Sequence, residues 1–321
     1  MLSAVLALVG AVVYGAADFL GGLAAKRLRS IVVTAVAAAS GLVVLGAALP
    51  LVGGTWTLAD VAWGALSGAI GVVAIALLYA CLAIGPMSIL SPLTAVVSAI
   101  APMLWGLLVN GETLSPVGYA GLGVALVAVV LVGFIPGEKM VRPSTPGLLM
   151  AVGAGLAIGA FLIVIDQTSD QSGVVPLILN RGTNLVITVA IVGVFALRAR
   201  ANGRPAVSVV DVAGARVGAT PTGHADLEHA VHDAPRGLAS PATRAHAWWL
   251  AIGCGVVDAA ANAIMLLALR IGDLSIVSAL TALYPAGTII LAAIVLRERV
   301  AGLQWAGLAL ALVAGGMLAL G

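Results

Sequence analysis

Charge is what this sequence lacks most: 9% of its 321 residues are Asp, Glu, Lys or Arg, where a soluble domain carries about 25%. That scarcity excludes a solvated surface over most of the chain, and it excludes a nucleic-acid partner, which needs clustered cations. Aromatic residues are also few, at 4%. Cysteine occurs twice, as Cys81 and Cys254, each inside an apolar run with no ligand-spaced Cys or His around it. Neither a disulfide framework nor a metal centre is expected from that pattern. There is no phosphate-binding glycine loop with lysine, no nucleophile elbow and no His-Glu zinc pattern, so hydrolase, ATPase and metalloenzyme chemistry have no residues to run on. The chain reads as a non-enzyme without cofactor or metal.

What is present is apolar mass. The chain is 62% hydrophobic, with a mean hydropathy of +1.17. A fold of this size cannot hide that much apolar surface from water, so its solvent is lipid. A bilayer core of about 30 Å takes roughly 20 apolar residues of helix. Ten such runs are predicted, at 2–23, 31–53, 59–83, 87–109, 116–135, 146–165, 174–197, 247–269, 274–296 and 301–320. The first has no basic residues before it and is long enough to span, so it reads as a transmembrane helix and not as a signal peptide.

The sequence also repeats itself. Leu82–Ala95 (LAIGPMSILSPLTA) and Leu269–Ala282 (LRIGDLSIVSALTA) agree at nine of fourteen positions, at an offset of 187. Ala120–Ala128 likewise pairs with Ala306–Ala314, and Glu112 with Glu298. The first helix matches the sixth weakly, around Val9-Gly10-Ala11 and Val152-Gly153-Ala154, at an offset of 143. The difference is the extra length of the segment at 198–246. The expected fold is therefore an all-α membrane protein of ten transmembrane helices in two five-helix repeats, 1–137 and 146–321. Because five is odd, the second repeat enters the bilayer from the opposite side, and the repeats are inverted.

Residues 198–246 hold six Arg and all four His, with no apolar period. They read as a disordered polar loop, and His224, His229 and His232 as part of a solvated tract. Leaving that loop aside, the loops after odd-numbered helices carry Lys26, Arg27, Arg29, Lys139, Arg142, Arg297 and Arg299, against Arg270 alone on the other side. Positive charge marks the cytoplasmic side, which places the long loop inside and both termini outside. Thirteen Arg to two Lys fits a GC-rich genome and a bacterial inner membrane. Small residues recur every four positions at Ala251, Gly255, Ala259 and Ala263 and at Gly307, Ala311 and Gly315, which lets helices approach closely in lipid. Trp56, Trp63, Tyr119, Trp248, Trp249 and Trp305 sit near segment ends as an interfacial belt.

Ten helices, the Ile84-Gly85 to Thr94 junction with its copy at Ile271-Gly272 to Thr281, Gly111-Glu112-Thr113-Leu114, Arg297-Glu298-Arg299-Val300 and the opening Tyr14-Gly15-Ala16-Ala17-Asp18-Phe19 together resemble an EamA-type member of the drug/metabolite transporter superfamily. That resemblance implies a carrier of small metabolites or drugs, often an exporter, in many cases coupled to protons. It also implies cytoplasmic termini, opposite to the charge count.

Charges within a span cost about 2.5–3.5 kcal/mol on insertion scales, so the few present are candidates for function. They are Asp18, Arg181 and Asp258, accompanied by Asn180, Asn184 and Asn262. Asn180 and Asn184 share a helix face, and so do Asp258 and Asn262. In the functional reading Asp258 takes and releases a proton while Arg181 and the amides hold substrate; in the structural one Arg181 and Asp258 only pair the helices. Asp258 and Asn262 correspond to Gly71 and Ile75 in the first repeat, which favours a dedicated role. Glu112 and Glu298 are expected to cap or bridge helix ends. Pro86, Pro92, Pro102 and Pro285 mark kinks suited to gating. The expected activity is secondary transport of a small molecule across the bilayer by alternating access, with a proton as coupling ion. The alternatives are an uncoupled facilitator and a non-transporting membrane partner that recruits a soluble protein through 198–246.

Overall fold

Apolar runs broken by proline, glycine and serine dictate where the helices begin and end. The computed structural model describes residues 1–25, 27–84, 87–133, 144–203, 205, 209–210, 241–296 and 301–320. Among them the regular elements are helices: α1 Leu2–Ala25, α2 Ser30–Val52, α3 Leu58–Ile84, α4 Met87–Leu108, α5 Pro116–Val132, α6 Thr145–Asp166, α7 Val175–Ala201, α8 Pro241–Ile271, α9 Leu274–Thr281, α10 Tyr284–Leu291 and α11 Gly302–Leu320. Starts follow local chemistry. Ser115 and Ser144 cap α5 and α6 by accepting from the backbone N–H of Gly118 and Gly147, each with a proline in the first turn, where its missing N–H costs nothing.

Eight spans are long and apolar enough to cross a membrane, and the two shorter apolar stretches are Leu93–Leu108 and Pro116–Val132. With 17 residues, α5 rises about 26 Å, at the lower limit for a span. Two sequence expectations need correction. The run at 274–296 holds as a candidate span, Leu274–Val295, but its helix is interrupted. Pro285 has no N–H and its ring clashes with the carbonyl four residues back, so α9 ends at Thr281 and α10 resumes at Tyr284. The polar segment at 198–246 is helical at both ends, since α7 continues to Ala201 and α8 starts at Pro241. His224, His229, His232, Lys26, Gly85-Pro86, Lys139, Arg142, Arg297, Glu298, Arg299 and the side chains of Cys81, Pro92 and Arg244 lie outside the described residues.

The packing list has a regular form. Helix α1 runs along α8 and α10, and α6 along α3 and α4. Helix α2 packs on α8, and α7 on α3. Helix α2 also meets α7, α4 meets α9, and α5 meets α11. Exchanging the first five predicted spans for the second five returns the same list. One crossing repeats in atomic detail. Gly255 lies against the Ala37 carbonyl and the Ser40 side chain, and Gly68 against the Asn180 carbonyl and the Thr183 side chain. Gly68 and Gly255 are 187 apart, while Ala37–Asn180 and Ser40–Thr183 are 143 apart.

Alanine and glycine fill the centre, with Ala7, Ala11, Ala99, Ala125, Ala259 and Ala314 in one large buried cluster. Large apolar side chains such as Leu51, Leu149, Val186 and Leu312 face outward instead, as expected where helices associate by backbone approach and the surroundings are lipid. Trp56, Tyr119, Trp249 and Trp305 are exposed near helix ends, whereas Trp248 packs against a small buried cluster.

Helix α1 crosses α10 closely. A Cβ on Gly15 would stand 2.5 Å from the Thr288 amide nitrogen and 2.6 Å from Gly287 Cα. The Thr288 hydroxyl donates to the Gly15 carbonyl at 3.2 Å. Neither neighbour is a flexible side chain, so Gly15→Val is expected to lower stability by about 3 kcal/mol, the upper part of the overpacking range. Thermal unfolding of the purified protein checks this; a midpoint equal to wild type contradicts the crossing.

Candidate functional site

The break between α9 and α10 opens on a cavity of about 100 Å³ at the centre of the bundle. Its polar side is made by α7 and α8, which contribute Asn180, Arg181, Asn184, Asp258 and Asn262. Its apolar side is made by α3 and α6, with Ala74, Ile75, Ile158, Phe161 and Leu162. Gly71 and Ile75, the positions equivalent to Asp258 and Asn262, line the same cavity. Across the cavity the polar α7–α8 side thus faces an apolar side made by α3 and α6.

Arg181 and Asp258 are joined, Nη2 to Oδ2, at 2.5 Å. Asn262 lies one turn beyond Asp258, and its Nδ2 donates to the Asp258 carbonyl at 2.8 Å and to Oδ1 at 3.3 Å. Asn180 donates from Nδ2 to Ser67 Oγ at 2.9 Å, tying α7 to α3. Arg181 is 7% exposed and Asn184 6%. Even so, Arg181 Nε, Asn184 Oδ1 and Thr281 Oγ1 have no hydrogen-bond partner among the described residues. A buried polar atom without a partner costs free energy, so these three are ready to meet an incoming polar group. Asp18, 3% exposed, is outside this cavity. It lines a smaller adjoining pocket with Arg181, Asn184 and Asp258. The structure therefore gathers all six residues singled out from the sequence, five in one cavity and Asp18 beside it.

Sequence reasoning missed Tyr14, Ser98, Thr281 and Tyr284, which also line the cavity. Tyr14 sits one turn before Asp18, and its hydroxyl donates to Met265 Sδ at 3.5 Å. Thr281 could have been found from Pro285: the residue four before a proline loses its helical partner.

The bundle is tied shut at the end that carries the 167–174 connection. Asp60 accepts from Ser169 N at 2.7 Å, Ser169 Oγ at 2.8 Å and Thr57 Oγ1 at 2.5 Å. The Thr57 hydroxyl in turn accepts from Asp60 N, a reciprocal helix cap. Arg270, at the end of α8, donates to the Thr168 carbonyl and hydroxyl and to Ser172 Oγ, and reaches Asp170 at 3.5 Å. Gly173 holds φ +51 where its Cα side meets Gly53 and Gly54, a conformation side chains resist. Glu112 does act as a cap, but on the distant helix α9: its two oxygens accept from Leu274 N and Ser275 N at 2.9 and 3.0 Å. Burial, with Glu112 close by, raises the Asp273 carboxyl above its ordinary value.

Among solved structures, 28 chains match. One, titled only "Crystal structure of protein", aligns over 99% of this chain and 98% of its own at 15% identity and a TM-score of 0.68, a likeness of fold. No curated protein matches. Residues 236–320, the part of the chain that holds Asp258, Asn262 and Arg270, match the model of the EamA-like transporter family.

Proposed function

We propose that the protein is a secondary active transporter of a small metabolite or drug, built as two inverted five-helix repeats, 1–137 and 146–321. The carrying observation is the central cavity, which sets the buried Arg181–Asp258 pair of the second repeat against an apolar wall shared by α3 of the first repeat and α6 of the second. The swap-invariant packing supports the repeat reading, and a discontinuous α9–α10 at the cavity suits a carrier site. In this scheme Asp258 exchanges a proton, Arg181 and the amides hold the polar part of the substrate, and the apolar wall takes the rest. The halves rock about the cavity, and the Asp60–Arg270 fastening is released in the outward-open state. The ion pair also favours a second reading, an uncoupled facilitator in which Arg181 and Asp258 only bind α7 to α8. A pH jump on proteoliposomes decides, once a thermal-shift screen of a metabolite library has supplied a substrate. Accumulation against a gradient supports coupling; equilibration alone supports the facilitator.

The orientation follows from the seven-to-one distribution of cations in a bacterial inner membrane. With Cys81 and Cys254 replaced by Ala, Thr220→Cys is expected to resist an impermeant thiol reagent in intact cells and to react after permeabilisation. Labelling of intact cells reverses the topology.

A further inference from the structure

Three of the residues that line the central cavity carry a buried polar atom with no hydrogen-bond partner among the described residues: Arg181 Nε, Asn184 Oδ1 and Thr281 Oγ1. The residues are 7%, 6% and 7% exposed. Unpaired polar atoms at this depth are costly, and three gathered around one cavity point to a ligand that pairs them. Neighbouring hydroxyls are already committed. Tyr14 donates to Met265 Sδ, Ser98 to the Ala95 carbonyl and Ser278 to the Ser275 carbonyl. The unpaired set is therefore one atom that donates, one that accepts, and one hydroxyl that does either. A primary carboxamide is its complement. The carbonyl accepts from Arg181 Nε, one N–H donates to Asn184 Oδ1, and the Thr281 hydroxyl meets what is left.

Charge and size narrow the class. Among the described lining residues the ionic side chains are Arg181 and Asp258, joined at 2.5 Å. The pair leaves no net charge in the lining for an ionic ligand to balance, and an unbalanced ion inside is costly. A carboxylate offers acceptors alone, and an ammonium donors alone. A zwitterion is neutral overall, but it brings three ammonium donors to one free acceptor and a hydroxyl. The volume of about 100 Å³ is less than the roughly 150 Å³ in which a dry cavity holds benzene, so the ligand has about six non-hydrogen atoms at most. The wall of Ala74, Ile75, Ile158, Phe161 and Leu162 suits a short branched alkyl group.

We propose that the central cavity takes a small uncharged aliphatic carboxamide, with its amide on Arg181, Asn184 and Thr281 and its alkyl group on the α3–α6 wall. This rests on reading the cavity as the substrate site, but its test involves no flux. The purified protein is unfolded thermally with isobutyramide and with four probes of similar size: methyl isopropyl ketone, which lacks the N–H donors, isobutyrate, isobutylammonium and the zwitterion alanine. The midpoint is expected to rise saturably with isobutyramide, at a half-saturating concentration about tenfold or more below that of any other probe. Thr281→Val is expected to raise that concentration by about tenfold. It should not lower the midpoint of the empty protein, because the hydroxyl has no partner to lose; a structural hydroxyl would lower it. Asn184→Ala, read by its isobutyramide response, carries the test if Thr281→Val does not fold. A midpoint flat in isobutyramide, an equal response to the ketone or to an ionic probe, or an unchanged response in the variant overturns the proposal. Isobutyramide-specific stabilisation of a protein that moves no substrate would remove the transporter reading and leave this site. Accumulation of another substrate class without an amide response would do the reverse.

Discussion

Asp258→Asn is expected to lose gradient-driven accumulation completely and, at the same time, about 3–5 kcal/mol of stability, the usual consequence of leaving a buried ion-pair partner alone. The amide keeps the shape of the carboxylate and its contact with Asn262, but it neither titrates nor balances Arg181 across 2.5 Å. The two losses separate in a second variant. Asp258→Asn combined with Arg181→Gln removes both charges, and a pair of neutral amides in this geometry is no longer an uncompensated charge. Stability measured by thermal unfolding should return, whereas proton-driven accumulation should not. Recovery of accumulation in the double variant would show that the pair only holds α7 to α8, and coupling would pass to Asp18.

Arg270→Ala is expected to open the bundle at the end it fastens. The guanidinium donates to two atoms of Thr168 and to Ser172, and hydrogen bonds from charged groups contribute about 1.5–3 kcal/mol each, not additively. Asp170 contributes little to this, because its side chain is 85% exposed and exposed pairs are weak. Loss of about 3 kcal/mol from the closed form shifts a two-state equilibrium by roughly a hundredfold. A cysteine at Ser98, inside the cavity, should then react with an impermeant thiol reagent about that much faster from the side of Arg270. Equal rates with and without Arg270 would mean that the fastening does not control access.

Helix positions were readable because lipid imposes one length and one polarity on every span, and the internal copy at an offset of 187 paired residues that the structure packs equivalently, as at Gly68 and Gly255. The charged residues were readable because they are so few. What could not be read was partnership across the bundle. Asp60, one of the charges near a span end, gave no sign that it would hold Ser169, 109 residues away. Arg270 was counted for topology and not as a clamp. Glu112 was expected at a helix end, yet nothing local says that the helix is the distant α9. Such pairings depend on how the helices lie, and hydropathy and spacing carry no record of that. The break before Tyr284 was half-legible: Pro285 marks it, but Pro102, also a proline within a span, leaves α4 continuous to Leu108.

The close crossing of Gly15 and Gly287 bears on the order in which the protein is made. The two residues are separated by roughly 270 positions of chain, and ribosomes add about 5–20 residues per second. Helix α1 therefore enters the bilayer some 14–55 s before α10 exists to pack on it, and α8, its other main neighbour, precedes α10 only slightly. During that interval Asp18 sits in a nascent helix whose later neighbours Arg181 and Asp258 are still unmade. The helix tolerates this because its apolar residues give it a hydropathy of 1.9, enough to outweigh one acid on insertion. A second acid in α1, harmless in the finished fold if it faced a partner, would act earlier, at the translocon, before any partner had been synthesised.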